Sequence, residues 1–194
     1  MSLNDWKLVN SQTMSRHPVF CLRNDRYRLE PDTDEKEFVV LESTDWINVV
    51  PVTEKDEVVL VRQFRHGVRT VSLEVPGGMM ERGEDAAKAA RRELKEETGF
   101  VAENLTLLGS VWPNPAIQNN RCHCFLASPA RKVAEPEPDL WERIDVVLVP
   151  LKAIPDMIRN GSIQHSLVLV SFALMGVVGS SKRSKVQEKS DGSR

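Results

Sequence analysis

The chain has 194 residues, enough for one sizeable domain whose core needs no disulfide or metal staple. Its 26 Lys plus Arg against 28 Asp plus Glu leave a net charge of -2, so no global field draws it to nucleic acid or to an anionic membrane. An anionic ligand then has to be held by local arginines or bound cations, and a charged fraction of 28% with 41% hydrophobic residues excludes wholesale disorder.

In chain order, "MSLNDWKLVN" carries no apolar signal core. "HPVFCLRNDRYRLE" and "KEFVVLES" read as short strands separated by the turn-rich "PDTDE", an antiparallel element over residues 1–45. "INVVPVT", "EVVLVRQFR" and "VSLEVPGG" are rich in Val, Leu and Ile between charged turns, as strands of a mainly buried sheet are. Residues 84–98 switch to helical spacing, with Ala86, Ala89, Ala90 and Leu94 forming a narrow apolar stripe. Small alanines there let the helix sit close to a sheet.

After Gly99 come the strand "LTLLGSVW", the loop "PNPAIQNN", the strand "RCHCFLA", an acidic Pro-rich loop at 134–139 and the strand "IDVVLVP". "LKAIPDMIRNG" reads as a helix closed by Gly161. The apolar run "LVLVSFALMGVV" at 167–178 is too short for a membrane span and reads as a buried terminal helix. Strands and helices mix without strict alternation, which predicts an α/β mixed sheet covered by helices over 46–178. Residues 179–194 have almost nothing to bury and read as a disordered tail. Cys21, Cys122 and Cys124 are too few and too irregular for a secreted disulfide framework, so a reducing, cytoplasmic setting is expected.

Several constellations are weak. In "CHC", strand alternation puts both cysteines on one face and His123 on the other, and no second ligand pair completes a zinc site. His17, His66 and His165 stand alone in the sequence. Trp112 and Trp141 are read as core, with base stacking as the alternative.

The stretch "GGMMERGEDAAKAARRELKEETGF" at 77–100 is different. On a helix Glu93, Glu96 and Glu97 stand at i, i+3 and i+4, so three like charges share one face. Either Arg91, Arg92 and Lys95 offset them on a solvated face, or a cation binds. A glycine-rich turn before the helix can direct carbonyl oxygens toward it, and an oxygen-only donor set suits Mg²⁺.

Gly78, Glu84, Arg92, Glu93, Leu94, Glu96, Glu97, Gly99 and Phe100 meet every defined position of the signature of the Nudix hydrolases, which this sequence resembles. The resemblance implies an α/β/α sandwich around a mixed sheet and hydrolysis of a nucleoside diphosphate linked to a second moiety. It implies Mg²⁺, or Mn²⁺, held by Glu93 and Glu97, with Glu96 beside them and the carbonyl of Gly77 contributing. Arg92 would orient a glutamate, and Glu84 would ligate or hold the loop.

The wider "VVLVRQFRHGVRTVSLEVPGG" is similar to the ADP-ribose and nucleotide-sugar pyrophosphatase subgroup. That likeness implies Arg65 as a phosphate or ribose contact, ahead of Arg62 and Gln63, with Glu74 supporting the metal shell. It also implies a general base from the later loop, where Glu135, Glu137, Asp139 and Glu142 are available and Glu142 fits best, and a substrate-side Pro115. Many ADP-ribose hydrolases carry an acid shortly after that proline, where Asn119 and Asn120 stand here, so nucleotide sugars remain equally open. The N-terminal strands resemble the segment this subgroup exchanges across a homodimer. A purely nucleotide-binding domain would not need the full glutamate set, and a triphosphate house-cleaning hydrolase is the remaining alternative.

Overall fold

The computed structural model describes residues 5–30, 34–137 and 141–177; the expected tail at 179–194 and Asp139 lie outside them. Strands β1 (Trp6–Arg16), β2 (Cys21–Leu29) and β3 (Glu35–Glu42) form an antiparallel three-stranded sheet. Only β2 and β3 were expected. The β1 sequence has no run of core residues, and ten of its eleven positions are exposed, so ladder pairing with β2 rather than burial defines it. His17 to Phe20 make the turn between β1 and β2 instead of opening a strand.

The second sheet contains β4 (Trp46–Thr53), β5 (Glu57–Arg65), β6 (Thr70–Glu74), β7 (Gly77–Met79), β8 (Phe100–Ala102), β9 (Leu105–Val111), β10 (Cys122–Lys132) and β11 (Ile144–Pro150). Among the described residues its order is β11-β5-β4-β10-β8, with β6 added to β5, β7 to β4 and β9 to β10. The β4/β10 pair is parallel and the others are antiparallel, so the sheet is mixed.

Alternation along its central strands builds two cores. Ile47, Val49 and Val59 face helix α1 (Ala86–Thr98) and pack with Ala89, Ala90 and Leu94. Val50, Val52, Val58 and Leu60 face the other way, onto α2 (Ile154–Arg159) and α3 (Ser166–Leu174), and meet Ile154, Val168 and Phe172. Burial on both faces explains the continuous Val-rich runs. The result is the expected α/β/α arrangement with an N-terminal antiparallel element. Leu41 of that element hydrogen-bonds the Ile117 carbonyl at 2.7 Å, and Asn119 accepts from the Ser43 amide at 3.2 Å.

Helix α1 starts later than its periodicity suggests. Asp85 caps it, accepting from Ala87 and Lys88 N–H, which leaves Glu84 in the preceding loop. Gly99 ends it at φ 71, its N–H donated to the Lys95 carbonyl. The terminal apolar run is helical only over Ser166–Leu174, because Gly176 at φ 82 turns the chain out. Among the described residues no helix is long and apolar enough to cross a membrane.

A side chain at Gly99 would meet two penalties at once, the left-handed backbone and the carbonyl oxygen of Ala134. Gly99→Ala is expected to lower stability in urea unfolding by at least about 1 kcal/mol. An unchanged midpoint would contradict this account of the helix end.

Candidate active site

The glycines before α1 form an extended strand, not a turn. Gly77 and Gly78 pair in β7 with Asn48 and Ile47 of β4, directly beside α1. A Cβ on Gly77 would strike the Ile47 carbonyl oxygen, and one on Gly78 would stand 2.5 Å from Glu93 Oε1. Glycine is needed here for close approach of strand and helix rather than for unusual dihedrals.

That approach buries one carboxylate. Glu97 is 3% exposed and its Oε2 accepts from Gly77 N–H at 2.9 Å. Burial pushes its pKa up to about 8, with the charges of Glu93 and Glu142 adding and the Gly77 bond and Arg65 opposing. Glu93, one turn earlier, is raised as well, again by burial first, with Arg92 opposing.

Arg92 is the hub of the acidic face. It makes a two-pronged contact with Glu84 at 3.1 Å, reaches Glu93 Oε1 at 2.8 Å and Glu96 Oε2 at 3.1 Å, and donates to the Met79 carbonyl. Hydrogen bonding from Arg92, with help from Glu81 N–H, holds Glu84 below the usual carboxylate range. Glu84 therefore secures the loop. Glu96, nearly half exposed, lies on the solvent side of Arg92.

A groove of 1710 Å³ passes Gly77 and Gly78 and extends to Phe20 and Trp46 near the N-terminal sheet. Arg65 and Glu74 line its wall, joined by bonds of 2.8 and 2.7 Å. Burial raises the Glu74 carboxyl, but the Arg65 contacts outweigh it and hold the group below its ordinary value. Glu142 lines the same groove, and its charge is felt at Arg65, Glu93 and Glu97.

Other sequence expectations fall elsewhere. Arg62 is exposed and absent from the groove wall, whereas Gln63, two residues before Arg65 and on its face of the strand, lines it. Pro115 is exposed in its turn, and Gln118 is the residue of that loop that reaches the groove. Asn119 is tied to Ser43, and Asn120 is buried. Glu135 pairs with Lys132, and Glu137 meets α1 through its backbone N–H on the Glu96 carbonyl.

Trp141 and Trp112 are not core: they are 90% and 57% exposed. Trp141 lines the groove, and Trp112 stacks under Arg121. Cys122 and Cys124 are buried on one face, while His123 on the other bonds Ser110 and Asp45. His165 does not stand alone, since its Nε2 lies 3.8 Å from Glu74 Oε2. Its only sequence signal was a position just before an apolar helix.

The donor set fits a hard divalent cation. Among the described residues no three His, Cys, Asp or Glu side chains converge as a closed metal cage. Mg²⁺ does not require one, being held by one or two carboxylates with waters and substrate phosphates. The buried Glu97 and the partly buried Glu93, mutually repelling beside the β7 backbone, supply such a pair.

Raising the folded-state pKa of Glu97 means that the metal-free protein loses stability as pH climbs from the ordinary value of 4.5 to about 8. Without metal, Glu97→Gln is expected to be more stable than the parent at pH 8, by an amount on the order of a few kcal/mol, and to lose that advantage near pH 5. Equal thermal unfolding of the two proteins across this range would contradict the burial argument.

Residues 43–168 match the NUDIX domain family. The chain is 34% identical over 107 residues to an ADP-ribose pyrophosphatase of Bacillus subtilis (strain 168), covering 55% of this chain and 58% of that protein. It is 24% identical over 170 residues to a methanol dehydrogenase activator of Bacillus methanolicus, covering 85% and 92%. A crystal structure of an ADP compounds hydrolase superposes with a TM-score of 0.78 at 22% identity, covering 91% of this chain and 95% of that one. With the signature in place on β7 and α1 and the domain match spanning most of the chain, this protein belongs to the Nudix hydrolase family.

Proposed function

We propose that the chain is a Mg²⁺-dependent pyrophosphohydrolase that cleaves the diphosphate of ADP-ribose or of a related nucleoside diphosphate sugar, giving a nucleoside monophosphate and a sugar phosphate. The observation that carries this reading is the buried Glu97, one turn from Glu93 and bound to Gly77, in electrostatic reach of Arg65 and Glu142. The relative named as an ADP-ribose pyrophosphatase and the structure titled as an ADP compounds hydrolase support the substrate class.

Glu93, Glu97 and the Gly77 carbonyl would hold Mg²⁺ or Mn²⁺, with Glu96 beside them. Such an ion, when bound, supplies charge neutralisation for the diphosphate and a water of lowered pKa. Arg65 spends Nε and Nη2 on Glu74, which leaves Nη1 for a phosphate oxygen. Glu142 takes the proton of the attacking water. The water oxygen bonds to phosphorus as the anhydride P–O bond breaks, and the electron pair leaves with the second phosphate. Arg62 and Pro115, which do not line the groove, have no step in this scheme.

The proposal includes a cytoplasmic homodimer formed through residues 1–45. Trp6, Leu8, Met14 and Val39 are exposed on the strands of the N-terminal sheet, apolar surface that a second copy of the chain would cover. Sedimentation at micromolar concentration is expected to give twice the 21.9 kDa chain mass, and a species of the chain mass alone would remove the dimer from the proposal.

Phosphate release in a phosphatase-coupled assay over ADP-ribose and a panel of nucleotide sugars tests the activity. With Mg²⁺ at least one diphosphate sugar is expected to turn over, and Glu97→Gln to lose at least about a hundredfold in kcat. Tight nucleotide binding without turnover would make this a binding domain instead.

A further inference from the structure

We propose that His165 is a positioning residue for Arg65, acting through Glu74; the inference rests on the assignment of Arg65 to the substrate diphosphate. His165 immediately precedes α3, with extended backbone at φ -64 and ψ 120. Its carbonyl accepts from Val168 and Leu169, but its side chain caps nothing and lines the groove with Arg65 and Glu74.

The imidazole has a defined orientation. Among the described residues Nδ1 is buried with no hydrogen-bond partner, so a proton there would be an unpaired buried donor. In the neutral imidazole the proton therefore belongs on Nε2, which faces Glu74 Oε2 at 3.8 Å, a dipole-to-carboxylate contact longer than a hydrogen bond. Glu74 is itself 2% exposed, with one edge taken by the two Arg65 bonds and a smaller contribution from Ser72.

A buried carboxylate has more lone pairs than a single guanidinium satisfies. His165 covers the Oε2 atom that also receives Arg65 Nη2. It thereby limits rotation of the Glu74 carboxyl, and that carboxyl sets the direction of the Arg65 fork. The helix that completes the opposite core layer thus braces the arginine wall of the groove. Loss of this brace weakens capture of the diphosphate and leaves the Glu93, Glu97 and Glu142 side of the site unchanged.

Steady-state kinetics of His165→Ala and His165→Gln on the diphosphate sugar with the highest turnover test this. His165→Ala is expected to raise KM about tenfold with kcat within about twofold, and His165→Gln, whose amide N–H falls near the imidazole Nε2, to recover most of the loss. In an Arg65→Ala background His165→Ala should add nothing. An unchanged KM, or an effect that persists undiminished without Arg65, would overturn the role. If the parent protein hydrolyses no diphosphate sugar, the functional reading fails by itself. The brace is then read in the substrate-free protein, where Glu74→Gln must shift the His165 imidazole ¹⁵N signals; unaltered signals overturn it. Matching melting temperatures for the parent and His165→Gln exclude a general packing loss.

Discussion

The site depends on one close approach, that of the β7 backbone to the acidic face of α1. Two glycines without Cβ atoms let the strand lie against the helix, and the alanine stripe of α1 does the same on its sheet-facing side. The Gly77 N–H then satisfies one oxygen of Glu97 while the surrounding core strips away its water. A carboxylate so placed is unstable as an anion unless positive charge arrives. The packing that stabilises the fold thus leaves that carboxyl either protonated or in want of a positive charge.

The remaining charges form two separate ion-pair groups. Arg92 gathers Glu84, Glu93 and Glu96 and anchors the loop before α1, so the solvated-face reading of that helix is correct for its outer edge. Glu97 escapes this network because it projects toward β7. Across the groove Arg65 is held by Glu74, on a hairpin that among the described residues shares no hydrogen bond with Arg92. One group concentrates negative charge and the other presents a positive fork. The diphosphate of the proposed substrate would be complementary to both, with the fork on one side and cations held by the carboxylates on the other.

Much of this was legible in the sequence, for identifiable reasons. Val-rich runs announced strands buried on both faces, and the spacing from Gly78 to Phe100 specified the helix and its carboxylates. Strand β1 was hidden because its residues bury almost nothing; "VSLEVPGG" read as one strand splits into β6 and β7, and its glycines, read also as a turn before the helix, serve close packing. Strand alternation applied to Arg65 selects Gln63 rather than Arg62 as its neighbour in the groove. His165 and Trp141 were beyond reach, since their places depend on how α3 and the loop before β11 meet the β5/β6 hairpin. No local pattern encodes that meeting.

The central claim is that Glu93, Glu97 and the Gly77 carbonyl together form a cation site. Anomalous diffraction from crystals equilibrated with Mn²⁺ measures this most directly. The account predicts a peak bounded by the two carboxylates and that carbonyl, with Glu97 drawn from the Gly77 amide toward the ion. Peaks confined to the exposed Glu96 edge, with Glu97 still bound to Gly77, would contradict it.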